Sequence, residues 1–212
     1  MPTKNNTDQI KHYFEQRLET HGTTPRGADW NSIDAQYTRF AQLAKVITCK
    51  DAFTLLDYGC GYGAFADYLT SRSFLVTRFY GFDILDSMIT MAQEQHQDTD
   101  KYLFTTQLSA VPQIDYAVAS GVFNIRLGSS YQQWTDFTLS CLSEINEKTR
   151  KGFAVNFLTK YSDPHKMSSK LYYADPCFMF DHCKKHFSKN VSLLHDYNLY
   201  DFTIIVRKQY DE

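Results

Sequence analysis

The chain lacks the features that would place it quickly in several large functional classes. Basic residues are not in excess: 22 Lys and Arg stand against 24 Asp and Glu, for a net charge of −2. The broad basic face that usually carries nucleic-acid binding is therefore missing from the composition. Only two small basic clusters occur, Lys184-Lys185-His186 and the stretch from Lys148 to Lys151. Cysteine is sparse and odd in number, with five residues at 49, 60, 141, 177 and 183 and no CxxC pair. That excludes zinc-type spacing and argues against a disulfide framework. No apolar run approaches the roughly 18 residues of a membrane span. Met1 to Asp8 is polar and carries no apolar signal core. Internal repeats and low-complexity tracts are absent as well. The expectation is a soluble, reduced, cytoplasmic protein with no metal, no membrane partner and no nucleic-acid partner.

What is present is a globular composition. The 212 residues are 43% hydrophobic and 16% aromatic, with 15 Tyr and 16 Phe, enough for one domain with a substantial core. Ile10, Tyr13, Phe14 and Leu18 fall at helical spacing, so residues 8–20 predict a short amphipathic helix. The stretch from His21 to Trp30 is rich in breakers and predicts a loop. Asn31 or Ser32 is placed to cap a second helix, with Ile33, Tyr37, Phe40, Leu43, Ala44 and Ile47 on one face.

From residue 53 onward strands and helices alternate. Strand-like runs cover 53–58, 78–83, 102–105, 114–119, 153–158, 191–195 and 202–207; helical runs cover about 63–72, 85–97, 131–149 and 175–187. Alternation of this kind predicts an α/β fold: a Rossmann-like, doubly wound, mostly parallel seven-stranded sheet with helices on both faces. Only Asp196 to Tyr200 separates the last two strands, too little for a crossover helix, so they predict an antiparallel C-terminal hairpin.

The most informative stretch is Asp57-Tyr58-Gly59-Cys60-Gly61-Tyr62-Gly63. It follows the apolar run Phe53-Thr54-Leu55-Leu56 and precedes a helical pattern, the layout of a nucleotide-type cofactor turn. The spacing is GxGxG rather than the dinucleotide GxGxxG, and a carboxylate stands two residues before the first glycine. That carboxylate would repel a pyrophosphate but would welcome a ligand carrying an ammonium and a sulfonium. S-adenosyl-L-methionine is the ligand that fits.

These residues resemble the class I S-adenosylmethionine-dependent methyltransferases over roughly residues 50–207. Leu55 to Gly63 looks like their first motif. Tyr80-Gly81-Phe82-Asp83-Ile84 looks like the second, in which an acid receives the ribose hydroxyls. Asp115 to Phe123 is similar to the fourth-strand motif facing the transferred methyl, and the terminal hairpin matches the family's reversed seventh strand. The adenine-contacting acid common after the third strand is not evident, since Gln107 or Ser109 stands about there. The segment from His21 to Arg39 is similar to a stretch in small bacterial single-domain methyltransferases. On this reading residues 1–50 form a helical cap or lid and residues 51–212 the methyltransferase domain.

The resemblance implies cofactor contacts from Asp57, Gly59, Cys60, Gly61, Asp83, Ile84, Met88 and Ser120. Cys60 serves chiefly by being small, and Met88 is equally suited to core packing. Arg39 could pair with the methionine carboxylate through its guanidinium fork, and Gln36 shares its helix face. Trp30 and Tyr13 could form an aromatic lid, and Tyr172 and Tyr173 could line the pocket. Substrate-facing candidates after the fourth strand are Asn124 and Arg126, with Arg126 suited to an acidic group. His195 is the candidate general base. His182 and His186 share a helix face but show no further metal ligands. No catalytic triad is expected, because the sulfonium supplies leaving-group activation and the protein chiefly aligns the reactants. The fourth strand ends without Asn/Asp-Pro-Pro-Tyr/Phe, and the only Pro-Cys, Pro176-Cys177, lies far from it. The expected acceptor is a small molecule methylated on O or N; the alternative is tRNA or protein, reached with a partner subunit.

Overall fold

A computed structural model describes residues 4–21 and 32–208. Two helices come first, α1 (Lys4–His21) and α2 (Ile33–Ala44). Ser32 caps α2: its hydroxyl accepts the Ala35 N–H at 3.2 Å. There follow β1 (Phe53–Tyr58), α3 (Ala64–Ser71), β2 (Val76–Phe82), α4 (Asp86–Gln95), β3 (Tyr102–Thr105) and β4 (Ile114–Ala119). The second half comprises α5 (Tyr131–Lys148), β5 (Thr149–Thr159), β6 (Tyr173–Ala174), α6 (Pro176–His186), β7 (Asn190–Leu194) and β8 (Asp201–Arg207).

The strands lie in the order β3-β2-β1-β4-β5-β8-β7, with β6 adding a short pairing to β5. β1 to β5 run parallel, and β8 is antiparallel to both β5 and β7. The doubly wound sheet and the reversed hairpin are therefore as expected. The sheet counts eight strands rather than seven only because the two-residue β6 adds to it. The order reverses at β1, which places a crevice at the carboxyl ends of β1 and β4, where open α/β sheets hold their ligands.

Two cores sandwich the sheet, and the period of two along each strand assigns the faces. Phe153, Val155 and Phe157 of β5 join Trp134, Leu142 and Ile145 of α5 and Met179 and Cys183 of α6 on one side. Ala154 of β5 and Ile205 of β8 face Phe40 and Leu43 of α2, Phe65 and Leu69 of α3 and Ala92 of α4 on the other. Burying a Phe or Leu contributes about 1.5–3 kcal/mol each. The polar residues that interrupt these runs, Asn156 (0% exposed) and Asp201 (1% exposed), therefore need compensating partners.

Candidate functional site

A pocket opens at the carboxyl ends of β1, β2 and β4. Its floor is the glycine turn. Gly59 sits at φ +80°, and a Cβ there would come within 2.3 Å of the Val122 side chain, so only glycine lets the turn pack against the loop after β4. The amides of Gly59 and Cys60 donate to the Phe82 carbonyl at 2.7 and 3.0 Å, and the Gly61 amide donates to Asp83 Oδ2 at 2.9 Å. Those N–H groups are spent on joining β1 to β2, so they are not free to cradle a phosphate.

Two carboxylates face this floor. Asp57, 2% exposed, is the penultimate residue of β1 and lines the pocket. Burial, followed by the neighbouring charge of Asp83, pushes its pKa from 3.8 up to about 8. Asp83 is also raised, by burial first, against the opposing pull of the backbone amides of Leu85, Gly61 and Ile84 and of Lys11. Its Oδ1 accepts the Leu85 N–H at 3.0 Å, so both oxygens are held in place. The Cys60 thiol is raised well above its ordinary value by burial and by the two aspartates, which keeps it protonated and inert.

Of the other expected contacts, Gln36, Gly59, Cys60, Gly61, Ile84, Met88, Ser120 and Asn124 all line this pocket. Gln36 reaches the pocket from α2, beside Tyr62. Asn124 accepts the Leu158 N–H on its Oδ1 at 3.2 Å, which fixes the amide orientation beside the pocket. The Ser120 hydroxyl has no hydrogen-bond partner among the described residues.

Several expectations are not met by the geometry. Arg39 does not line the pocket: its Nε and Nη2 form a fork onto Asp201 at 3.0 and 2.6 Å, buried beneath α2. Gln36 and Arg39 share a helix face, but only Gln36 reaches the pocket, because Asp201 from the far end of the chain claims the guanidinium. Arg126 is likewise engaged, its Nε donating to the Leu171 carbonyl at 3.0 Å and its Nη1 to Ser129. It braces the loop instead of presenting charge to a substrate. His195 is exposed at the end of β7, beside the rings of Tyr161 and Phe202. Three inter-strand steps separate β7 from β4, about 14 Å at the usual spacing.

Tyr13 packs on Phe14, with ring centroids 5.3 Å apart, and it is Phe14 that lines the pocket. Tyr172 is buried with its hydroxyl 2.8 Å from that of Thr135, and neither Tyr172 nor Tyr173 lines the pocket. Trp30 lies outside the described residues. His182 and His186 stack with centroids 4.4 Å apart, and no cluster of metal-ligating side chains occurs among the described residues. No described helix is long and apolar enough to cross a membrane.

Sequence reasoning missed most of the apolar wall. Ile10, Phe14, Phe40, Tyr62, Phe65, Val122, Ile125, Trp134 and Phe137 are among the further lining residues. The one available signal was the i, i+3 pair Trp134 and Phe137 on α5. Trp134 is anchored by its indole N–H to the Phe123 carbonyl at 2.7 Å, so it shapes the pocket rigidly.

The fold and this site define a class I S-adenosylmethionine-dependent methyltransferase, and the chain belongs to that family. The methyltransferase-domain family matches residues 56–152. A protein of Mycobacterium tuberculosis named as a methyltransferase, Rv1506c, is 44% identical over 164 residues, covering 77% of this chain and 98% of that protein. Among solved structures, the N-methyltransferase NodS from Bradyrhizobium japonicum WM9, in complex with S-adenosyl-L-homocysteine, aligns with TM-score 0.65 at 14% identity, over 94% of this chain and 98% of that one. Magnesium protoporphyrin IX methyltransferase from Synechocystis PCC 6803, also with S-adenosylhomocysteine bound, gives 0.63 at 14%, over 96% and 100%. The small RNA methyltransferase HEN1 gives 0.58 at 14%, over 84% of this chain but 25% of its own.

Proposed function

We propose that the pocket holds S-adenosylmethionine on its β1–β2 side and transfers the methyl to an O or N atom of a small, largely apolar molecule on its β4–α5 side. The observation that carries this reading is the division of the lining. Its only charged side chains among the described residues are Asp57 and Asp83, from the carboxyl ends of β1 and β2, while Val122, Ile125, Trp134 and Phe137 come from the loop after β4 and from α5, joined by Phe14 of α1. A pair of carboxylates without a cation between them suits a ligand with positive charge and hydroxyl donors. An apolar wall suits an uncharged acceptor more than a phosphate-rich one.

When bound, the cofactor supplies a methyl activated on a sulfonium. The work left to the chain is binding, orientation and exclusion of water. Asp57 stabilises the cationic end of the ligand, and Asp83, fixed by the Gly61 and Leu85 amides, offers acceptor oxygens to vicinal hydroxyls. Ile84 and Met88 pack against the adenine. Ile10, Phe14, Gln36 and Phe40 come from α1 and α2, which supports residues 1–50 as a cap over the methyltransferase domain of residues 51–212. Holding the acceptor within about 3–3.5 Å of the methyl in a dry pocket supplies most of the rate. Ser120 and Asn124 are the polar groups placed to orient it; His195 and Arg126 have no part in this arrangement.

Incubating the enzyme with methyl-labelled S-adenosylmethionine and a cell extract tests the reading. Label is expected in the acid-soluble, organic-extractable fraction. Label confined to precipitated RNA or protein would replace the small-molecule acceptor with a macromolecule.

A further inference from the structure

Asn156 is fully buried in the middle of β5, on the face covered by α2. Its side-chain oxygen accepts the Gly121 N–H at 2.8 Å, and its side-chain nitrogen lies 3.4 Å from Asp201 Oδ1 as a long donor contact. Asp201, at the start of β8, is gripped by the Arg39 fork, and Arg39 Nη1 also donates to the Ala35 carbonyl of its own helix at 3.0 Å. A continuous buried polar chain thus runs from α2 through β8 and β5 to the loop after β4. Its two ends carry pocket residues: Gln36 and Phe40 flank Arg39 on α2, and Gly121 itself lines the pocket.

We propose that Arg39, Asp201 and Asn156 form a positioning strap for methyl transfer, coupling the seating of the α2 cap to the position of the Gly121 loop. None of the three lines the pocket, so none is a catalytic residue. Gly121 holds φ +71° and lies two residues past the end of β4, so its amide needs an acceptor off the strand ladder. Asn156 is that acceptor, and its amide can present oxygen to Gly121 only while its nitrogen faces Asp201. Asp201 in turn keeps that orientation only while the guanidinium fork holds both its oxygens, Oδ1 being shared between Arg39 Nε and the Asn156 amide. Apolar residues at these positions would pack without the desolvation cost, so the chain's effect lies in specifying one arrangement.

The inference rests on the reading of this pocket as the cofactor and acceptor site, and the test separates the two. In the apoprotein, the exchange rate and chemical shift of the Gly121 amide are followed by NMR in Asn156→Ala, Asp201→Asn and Arg39→Lys. Arg39→Lys retains charge but loses the fork and protects against outright unfolding. Cys183→Ala, buried on the opposite face, is the control for general loss of stability. Gly121 exchange is expected to rise about tenfold in all three strap variants after correction for global stability, and to stay unchanged in the control. S-adenosylhomocysteine affinity, by calorimetry, is expected to fall about tenfold in Asn156→Ala and in Arg39→Lys, with the double variant no worse than either alone. An unmoved Gly121 amide in Arg39→Lys, or additive losses in the double variant, overturns the strap. Failure of the unmodified protein to bind S-adenosylhomocysteine would instead remove the site reading while leaving the exchange result standing.

Discussion

Two regions bury carboxylates, one beneath α2 at the start of β8 and one at the carboxyl end of β1, and they treat them in opposite ways. Under α2, Asp201 is 1% exposed and fully gripped by the Arg39 fork, with Asn156 beside it. At the glycine turn, Asp57 is 2% exposed and has no ion-pair partner among the described residues; the neighbouring charge that acts on it is another carboxylate, Asp83, and its pKa rises to about 8. Burying a charge without a partner costs free energy, and a fold tolerates it where a ligand completes the site. The paired aspartate holds architecture; the one without a partner among the described residues is, on the proposed reading, where the ligand's positive charge sits. Burial alone does not distinguish the two, whereas the identity of the neighbour does.

The largest expected effect comes from breaking the paired region. Arg39→Met leaves Asp201 buried beside Asn156 with no countercharge, and the expected loss is about 3–5 kcal/mol of unfolding free energy. Urea denaturation at pH 7 reads it directly. Replacing both partners, Arg39→Met with Asp201→Leu, should recover most of that loss, since the residual cost belongs to the stranded charge rather than to the missing bond. A double variant as unstable as the single would mean that the pair stabilises the fold outright, and the contrast with Asp57 would weaken.

The unpaired region should respond to pH in the opposite sense to ordinary paired carboxylates. Asp57 has a folded pKa of about 8 against 3.8 when solvated. The folded state therefore holds a proton that the unfolded chain has released, so this contribution is fully present below about pH 4 and lost as pH rises through about 8. Between pH 6 and pH 8 the apoprotein is expected to lose roughly 2 kcal/mol from this group. Asp57→Asn should flatten that slope and leave the apoprotein more stable than the parent at pH 8.5, while weakening its affinity for S-adenosylmethionine. Thermal melts across pH, with and without the ligand, check both halves. A slope that survives the substitution would show that Asp57 titrates as an ordinary carboxylate.

The contrast also explains what the amino-acid sequence made legible. The doubly wound sheet, the reversed hairpin and the Asp57-to-Asp83 turn are local: each depends on strand–turn–helix spacing within a few dozen residues. The same holds for Gln36, whose place in the pocket follows from its helix face. Arg39 was misjudged because its partner lies at the far end of the chain, and nothing local to α2 marks Asp201. Arg126 and His195 failed for a related reason. A cationic side chain in a loop finds whatever carbonyl or solvent the loop's folding offers, and that depends on the 160–172 segment and on the strand order. The apolar wall of Phe14, Ile125, Trp134 and Phe137 was equally hidden, since an aromatic at helical spacing reads as core whether or not it faces a cavity.

The smallest effect, and the one that bears most narrowly on the cofactor side, concerns Asp83. Unlike Asp57, it has two backbone donors, the Gly61 and Leu85 amides at 2.9 and 3.0 Å, so it is partly a structural residue of the turn. Asp83→Ala should weaken S-adenosylhomocysteine binding by at least about tenfold, or about 1.4 kcal/mol, through lost hydroxyl contacts and a loosened Gly61 amide together. The two contributions separate with a ligand whose ribose lacks one hydroxyl. If Asp83 receives the diol, the parent protein discriminates between the two ligands and Asp83→Ala does not. Equal discrimination by both proteins would assign Asp83 to the turn alone. The cation-binding duty at this site would then fall on Asp57, the pocket carboxylate without an ion-pair partner among the described residues.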